Sequence, residues 1–225
     1  MKVTVIIPAA GSGRRMGGKV AKPFLNLQGK PVLIHVLSVF QACSAVHELI
    51  VAASKDVQNG LEPILNDCGI CRPVRMVPGG VERQDSVRNA VRCISSDSEA
   101  VLVHDGVRPL VSRDLINRVI AALESHSAVV PALPVRDTLK RVWEGRVMET
   151  VSRAGLWQAQ TPQGFRRELL AEAHEKALED RVYGTDDASL VERLGISVHV
   201  LEGEVKNIKI TTPEDYRLAQ VLMEE

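Results

Sequence analysis

A chain of 225 residues, 45% apolar and 25% charged, is long enough to bury a full hydrophobic core without disulfides or metals to hold it. Lys plus Arg and Asp plus Glu balance at 28 each, which excludes bulk binding to nucleic acid or an acidic membrane but permits a local cationic pocket. No apolar run approaches the roughly 20 residues that span a bilayer, and Met1-Lys2 opens onto a strand rather than a signal peptide, so a cytoplasmic protein is expected.

Residues 3–8 (VTVIIP) read as a buried strand, 31–41 as a helix with Pro31 in its first turn, and 47–53 (HELIVAA) as a second strand. A helix over 56–67, a strand over 72–78, a helix over 82–94 and the strand "AVLVHDG" follow, then a helix over 112–124 with Ser112 as N-cap and the strand "SAVVPALPV". Near-continuous apolar strands separated by helices predict an α/β fold with a mostly parallel sheet covered on both faces. Ligands bind such sheets at the carboxyl ends of the strands, so the polar turns "AAGSGRR", "GGVERQDS" and "HDGVRP" should gather into one site.

The alternation breaks near residue 135. "TLKRVW" and "RVMETVS" flank Glu144-Gly145, a hairpin turn, and predict an arm over about 137–152 projecting from a single domain that spans 1–225. Its exposed apolar residues would want a partner, such as a second copy of the chain. A helix over 166–178 follows, then one capped by Thr185 or Asp186, strands "SVHVLEG" and "NIKIT", and a last helix from Thr212-Pro213-Glu214. Cys68-Gly-Ile-Cys71 has redox or half-zinc spacing, but no second pair completes a metal site, and reduced structural thiols are expected.

Residues 9–22 crowd Gly11, Gly13, Gly17 and Gly18 among Arg14, Arg15, Lys19 and Lys22. A dinucleotide fingerprint fails at Met16, the third glycine position, and lacks the acidic residue that should follow. A P-loop match from Gly13 to Lys19 fails at Val20, where Ser or Thr should meet Mg²⁺. A nucleotidyltransferase loop accounts for the cations that both leave over: small residues admit the nucleotide to backbone N–H groups, and fixed positive charge meets a departing pyrophosphate.

"PAAGSGRRM" with Lys22, "GGVERQDSV", "VHDGVRP", "PVRDTLK", "GLWQAQTPQGF", "TDDAS" and "NIKITTPED" stand in the order of the 2-C-methyl-D-erythritol 4-phosphate cytidylyltransferases, which the chain resembles over nearly its whole length. The resemblance implies a Rossmann-like fold of the nucleotide-diphosphosugar transferase type. It implies transfer of CMP from CTP to methylerythritol phosphate with Mg²⁺, and a homodimer joined through the β-arm. Carried onto this chain, it places Pro8, Ala9, Ala10 and Gly11 against the nucleotide, and Arg15 and Lys22 on the transition state and pyrophosphate. Gly80, Ser86 and Arg83 would form the cytosine pocket, Asp105 and Gly106 would sit at the ribose or metal, and Lys209 at the α-phosphate. Thr138, Arg153 and Thr161 would hold the sugar phosphate, with Asp137 and Arg108 nearby; Arg153 would count among the catalytic cations.

The chain departs from many relatives at Ala21-Lys22-Pro23, at Asp105-Gly-Val-Arg108, and at Val81 beside the cytosine pocket. A phosphate monoester nucleophile is already ionised at neutral pH, so the chemistry needs positioning and positive charge rather than a general base. His104 accordingly reads as a satisfied, partly buried histidine. Lys209 lies between Ile208 and Ile210, so its side chain should face away from the core. Ribitol 5-phosphate is the alternative acceptor; a non-catalytic nucleotide-binding module and an NAD-dependent oxidoreductase are the competing classes.

Overall fold

The structure, a computed structural model, describes residues 1–11 and 22–224. Arg15 lies outside the described residues. Strand β1 (Val3–Pro8) opens the chain. After a short 3₁₀ turn at Lys22–Phe24, the small hairpin β2 (Asn26–Leu27) and β3 (Lys30–Pro31) leads into α1 (Val32–Gln41). Then come β4 (Val46–Ala53), α2 (Lys55–Leu65), β5 (Val74–Pro78), α3 (Arg83–Val91), β6 (Ala100–Val103), α4 (Arg113–Ala122) and β7 (Ala128–Pro134). The second half holds β8 (Leu139–Trp143), β9 (Arg146–Val151), β10 (Trp157–Ala159), β11 (Gln163–Arg166), α5 (Arg167–Glu179), α6 (Asp187–Glu192), β12 (His199–Glu202) and α7 (Pro213–Leu222).

Strands β5, β4, β1 and β6 run parallel in that spatial order, as the apolar pattern predicts. Beyond β6 the sheet becomes mixed, because β11 inserts antiparallel between β6 and β7. Strand β12 pairs with Val129–Ala132 of β7, so β10 and β11, which meet β7 at Ala132–Pro134 and Ala128–Val129, must share its other edge. The sequence pattern shows no strand over 157–166; β10 and β11 are too short to carry a legible period. Strand alternation divides the core. Val3, Val5 and Ile7 of β1 pack against α1 and α4 on one face, while Ile6 faces α3 and α5 on the other. Fully burying one such side chain stabilises the fold by about 1.5–3 kcal/mol, so this double-sided packing far outweighs helix propensity.

Glu144 (φ 46°) and Gly145 (φ 76°) form the left-handed pair that a two-residue hairpin turn requires, and among the described residues β8 and β9 pair with each other alone, as an arm. The N-cap of α6 is Asp186, whose carboxylate accepts the N–H of Ser189 at 3.0 Å. The expected strand over "NIKIT" is not formed. The N–H groups of Asn207 and Ile208 bond to carbonyls of Glu204 and Lys206, the Ile210 N–H reaches the Val107 carbonyl, and no ladder forms among the described residues. Its alternation still sorts the side chains, since Ile210 is buried in a small cluster with Leu27, Val32 and Ala219.

Candidate active site

Because β1, β5 and β6 are parallel, the turns that follow them emerge at one edge of the sheet. They enclose a cleft of about 630 Å³. Its walls include Pro8, Ala9, Ala10 and Gly11 after β1, Gly80, Arg83 and Ser86 around the start of α3, and Asp105 and Gly106 after β6. Lys22 and Lys209 complete the lining. The described part of the glycine-rich turn and the two other predicted turns therefore meet. At Gly80 a side chain is impossible: a Cβ would stand 2.1 Å from that of Asp85. The bare backbone lets the Gly80 N–H donate to Ser86 Oγ at 2.9 Å, so the Ser86 hydroxyl shapes this turn while lining the cleft.

Asp105 is the electrostatic centre. It is 7% exposed, and its carboxylate receives Arg83 Nε at 3.0 Å and Lys209 Nζ at 2.8 Å, with Arg108 Nε at 3.7 Å. Burial alone would raise its pKa, but Arg83, Lys209 and Arg108 outweigh that effect and hold the carboxyl well below the usual carboxylate range. Lys22, whose ammonium donates to the carbonyls of Thr211 at 3.0 Å and Ile210 at 3.4 Å, brings a further cation to the same wall. Pro23 is buried within the 3₁₀ turn that starts at Lys22. Val81 is 95% exposed at the rim.

A second cleft of about 480 Å³ adjoins the first, with Arg108, Arg136, Asp137, Asn207 and Lys209 in its walls. Lys209 is common to both. Thr138 and Arg153, at the base of the arm, are exposed and line neither cleft; Arg153 donates to the carbonyl of Arg136. Thr161 also lines neither. It is 5% exposed, and its hydroxyl accepts the Asp105 N–H at 3.1 Å.

That hydroxyl also meets Nδ1 of His104 at 3.1 Å, while His104 Nε2 meets the Arg108 carbonyl at 3.1 Å. A carbonyl only accepts, so Nε2 carries the proton and Nδ1 accepts from Thr161. His104 is fully buried against Phe40, and burial pushes its pKa down to about 4 despite the Arg108 and Thr161 hydrogen bonds. It is a neutral strap beneath the Asp105–Arg108 turn rather than a proton carrier. Between about pH 6.5 and 4 the unfolded chain binds a proton at this position that the folded chain refuses, so stability falls as pH falls. His104 should account for about 3 kcal/mol of that loss, and urea unfolding of His104→Gln across this range should be correspondingly flatter.

Sequence reasoning missed two supports. Asn207 is fully buried; its Nδ2 donates to the Thr161 carbonyl at 2.8 Å and its own backbone carbonyl accepts from Arg108 at 2.7 Å. Asp187 pairs with Arg83 at 2.8 Å. Position in "NIKIT" and "TDDAS" was their only signal. Chemically, the site is a glycine-walled cleft opening onto a second one. Cations stand at the junction, and the buried His104 beside it is kept neutral.

The chain matches the family described as IspD, 2-C-methyl-D-erythritol 4-phosphate cytidylyltransferase, over residues 3–225. It is 47% identical over 224 residues to the enzyme of that name from Symbiobacterium thermophilum, covering 99% of this chain and 93% of the relative. It is 46% identical over 217 residues to that of Bacillus cereus, covering 96% of each. Among solved structures, 4-diphosphocytidyl-2C-methyl-D-erythritol synthase from Anaerococcus prevotii superposes with a TM-score of 0.87 at 32% identity, covering 100% of this chain and 99% of that one. The cytidylyltransferase from Thermus thermophilus gives 0.82 at 36% identity, with each chain fully covered. With this cleft, this topology and these full-length matches, the chain belongs to the 2-C-methyl-D-erythritol 4-phosphate cytidylyltransferase family.

Proposed function

We propose that the chain transfers the cytidylyl group of CTP to 2-C-methyl-D-erythritol 4-phosphate, a step of isoprenoid biosynthesis, and releases pyrophosphate. The observation that supports this reading is the sharing of Lys209 by two adjoining clefts; in it the larger takes the triphosphate and the smaller the acceptor phosphate. An oxygen of the acceptor phosphate bonds to the α-phosphorus of CTP. The bond from that phosphorus to the oxygen bridging to the β-phosphate breaks, and the electron pair leaves with pyrophosphate. The acceptor's second phosphate pKa is near 6, so it arrives ionised and no side chain need take a proton. Lys209 draws the two anions together, Lys22 and Arg15 meet the pyrophosphate charge, and Arg83 with Asp105 shapes the nucleotide wall.

The donor set fits a magnesium ion carried in on the triphosphate. Among the described residues no three His, Cys, Asp or Glu side chains form a cage, and Mg²⁺ commonly takes one carboxylate with phosphate oxygens and water. Asp105 would supply the carboxylate, and the ion would offset phosphate charge. Among the described residues no helix is long and apolar enough to cross a membrane. The free cysteines Cys43, Cys68, Cys71 and Cys93 suit the reducing cytoplasm, the compartment proposed for this chain.

Two copies act together in this reading. Val142, Trp143, Val147 and Met148 on the arm are 53–69% exposed, an apolar strip that a second chain would cover. Pairing would carry Thr138 and Arg153 to the partner's second cleft. Trp143→Asp should therefore give a monomer by light scattering and lower turnover by about tenfold or more, since positioning of the acceptor is lost. The reaction itself is tested by pyrophosphate release from CTP with each acceptor. Turnover with methylerythritol phosphate is expected; turnover with ribitol 5-phosphate alone would replace the acceptor, and none with either would overturn the reading.

A further inference from the structure

Arg83 is the first residue of α3, where the helix dipole disfavours a cation. It is nevertheless held between two carboxylates, with Nε on Asp105 at 3.0 Å and Nη1 on Asp187 at 2.8 Å. The two carboxylates differ. Asp105 lines the cleft and also receives Lys209 and Arg108, whereas Asp187 stands behind Arg83, 1% exposed, and outside the lining of either cleft. The other oxygen of Asp187 accepts from Nε2 of His174 at 3.2 Å. His174 is fully buried, and its Nδ1 has no hydrogen-bond partner among the described residues.

The segment carrying Asp187 is fastened to α3 and β11. Gln84 Oε1 accepts the Gly184 N–H at 2.8 Å, and Gln84 Nε2 donates to the Val182 carbonyl at 2.9 Å. Gln163 donates to Asp186 at 2.6 Å and accepts the Ala188 N–H at 3.1 Å. The spacing between Asp187 and Arg83 is therefore set from both sides. For stability alone, a well-packed apolar pair would serve as well as a buried ion pair.

We propose that Asp187 is a positioning residue of the transfer reaction, holding Arg83 from behind so that Asp105 remains free to exchange partners at the cleft face. The proposal rests on the cytidylyl-transfer reading above. A hydroxyl of the nucleotide that enters the cleft must compete for Asp105 with Arg83, Lys209 and Arg108. With Asp187 in place, Arg83 keeps a carboxylate when Asp105 turns to accept from that hydroxyl. Without it, Arg83 has Asp105 as its one carboxylate and closes on it. His174 keeps Asp187 oriented by donating to its second oxygen.

The test is a double-mutant cycle read in steady-state kinetics, with thermal unfolding alongside. Asp187→Asn should lower kcat about 10- to 100-fold, the range for supporting partners of a site, while KM for CTP changes less than about threefold. Arg83→Ala should abolish the effect: the double variant should be no slower than Arg83→Ala alone. A merely structural Asp187 would slow both backgrounds equally. Full kcat in folded Asp187→Asn, or an undiminished loss on top of Arg83→Ala, overturns the proposal. Should Asp187→Asn not fold, His174→Leu, which removes only the donor to Asp187, decides by the same cycle. A wild-type enzyme that makes no CDP-alcohol would count against the proposed function instead.

Discussion

Replacing Lys209 with alanine is expected to lower kcat/KM roughly 10²–10³-fold, the loss typical of removing one fixed donor from a transition state. Lys209 lines both clefts, and its ammonium lies 2.8 Å from Asp105. Two anionic phosphates must approach each other for the transfer to occur, and their repulsion is largest where the clefts join. A cation at that junction stabilises the transition state more than either separate substrate, so the loss should fall mainly on kcat. Lys209→Arg should recover part of it, because the charge returns in a larger planar group. Steady-state kinetics with both substrates varied measures the split; a loss under about tenfold would show that the junction cation is dispensable.

Replacing Asp105 with asparagine is expected to destabilise the folded chain by about 3 kcal/mol, near the low end for breaking a buried ion pair. Arg83, Arg108 and Lys209 would lose the carboxylate that they share, although Asp187 would still hold Arg83 and the amide oxygen could still accept one hydrogen bond. The native carboxyl is held below its ordinary pKa, so its contribution is fully present above about pH 4 and disappears as pH falls through the depressed native value. The gap in urea unfolding between wild type and Asp105→Asn should therefore stay constant from about pH 5 to 8 and close only in stronger acid. A variant as stable as wild type at neutral pH would mean that the three cations do not depend on Asp105.

The fold was legible where its causes are local. Uninterrupted apolar runs such as VTVIIP mark strands buried on both faces, and their order places three polar turns at one edge. That edge is where the described cleft lies. The arm was legible for the same reason, since Glu144-Gly145 must turn left-handed. Strands β10 and β11 escaped notice because three and four residues carry no period, and "NIKIT" misled because a correct alternation does not require a ladder. The supports of the site were invisible for a different reason. Arg83 and Asp187 stand 104 residues apart, and Thr161 meets His104 across 57. Such pairings are tertiary and leave no pattern in the chain. The resemblance assigns Thr161 to the sugar phosphate, and the structure adds that its hydroxyl accepts the Asp105 N–H.

In the proposed reaction the protein sets two phosphates in line and supplies charge, with no nucleophile of its own. The probe is CTP with one non-bridging α-oxygen replaced by sulfur, used as a single diastereomer at phosphorus, with methylerythritol phosphate as acceptor. One direct displacement predicts a thio-substituted CDP-methylerythritol with inverted configuration at that phosphorus. Retention would reveal two displacements through a covalent nucleotidyl-enzyme, and would contradict the account.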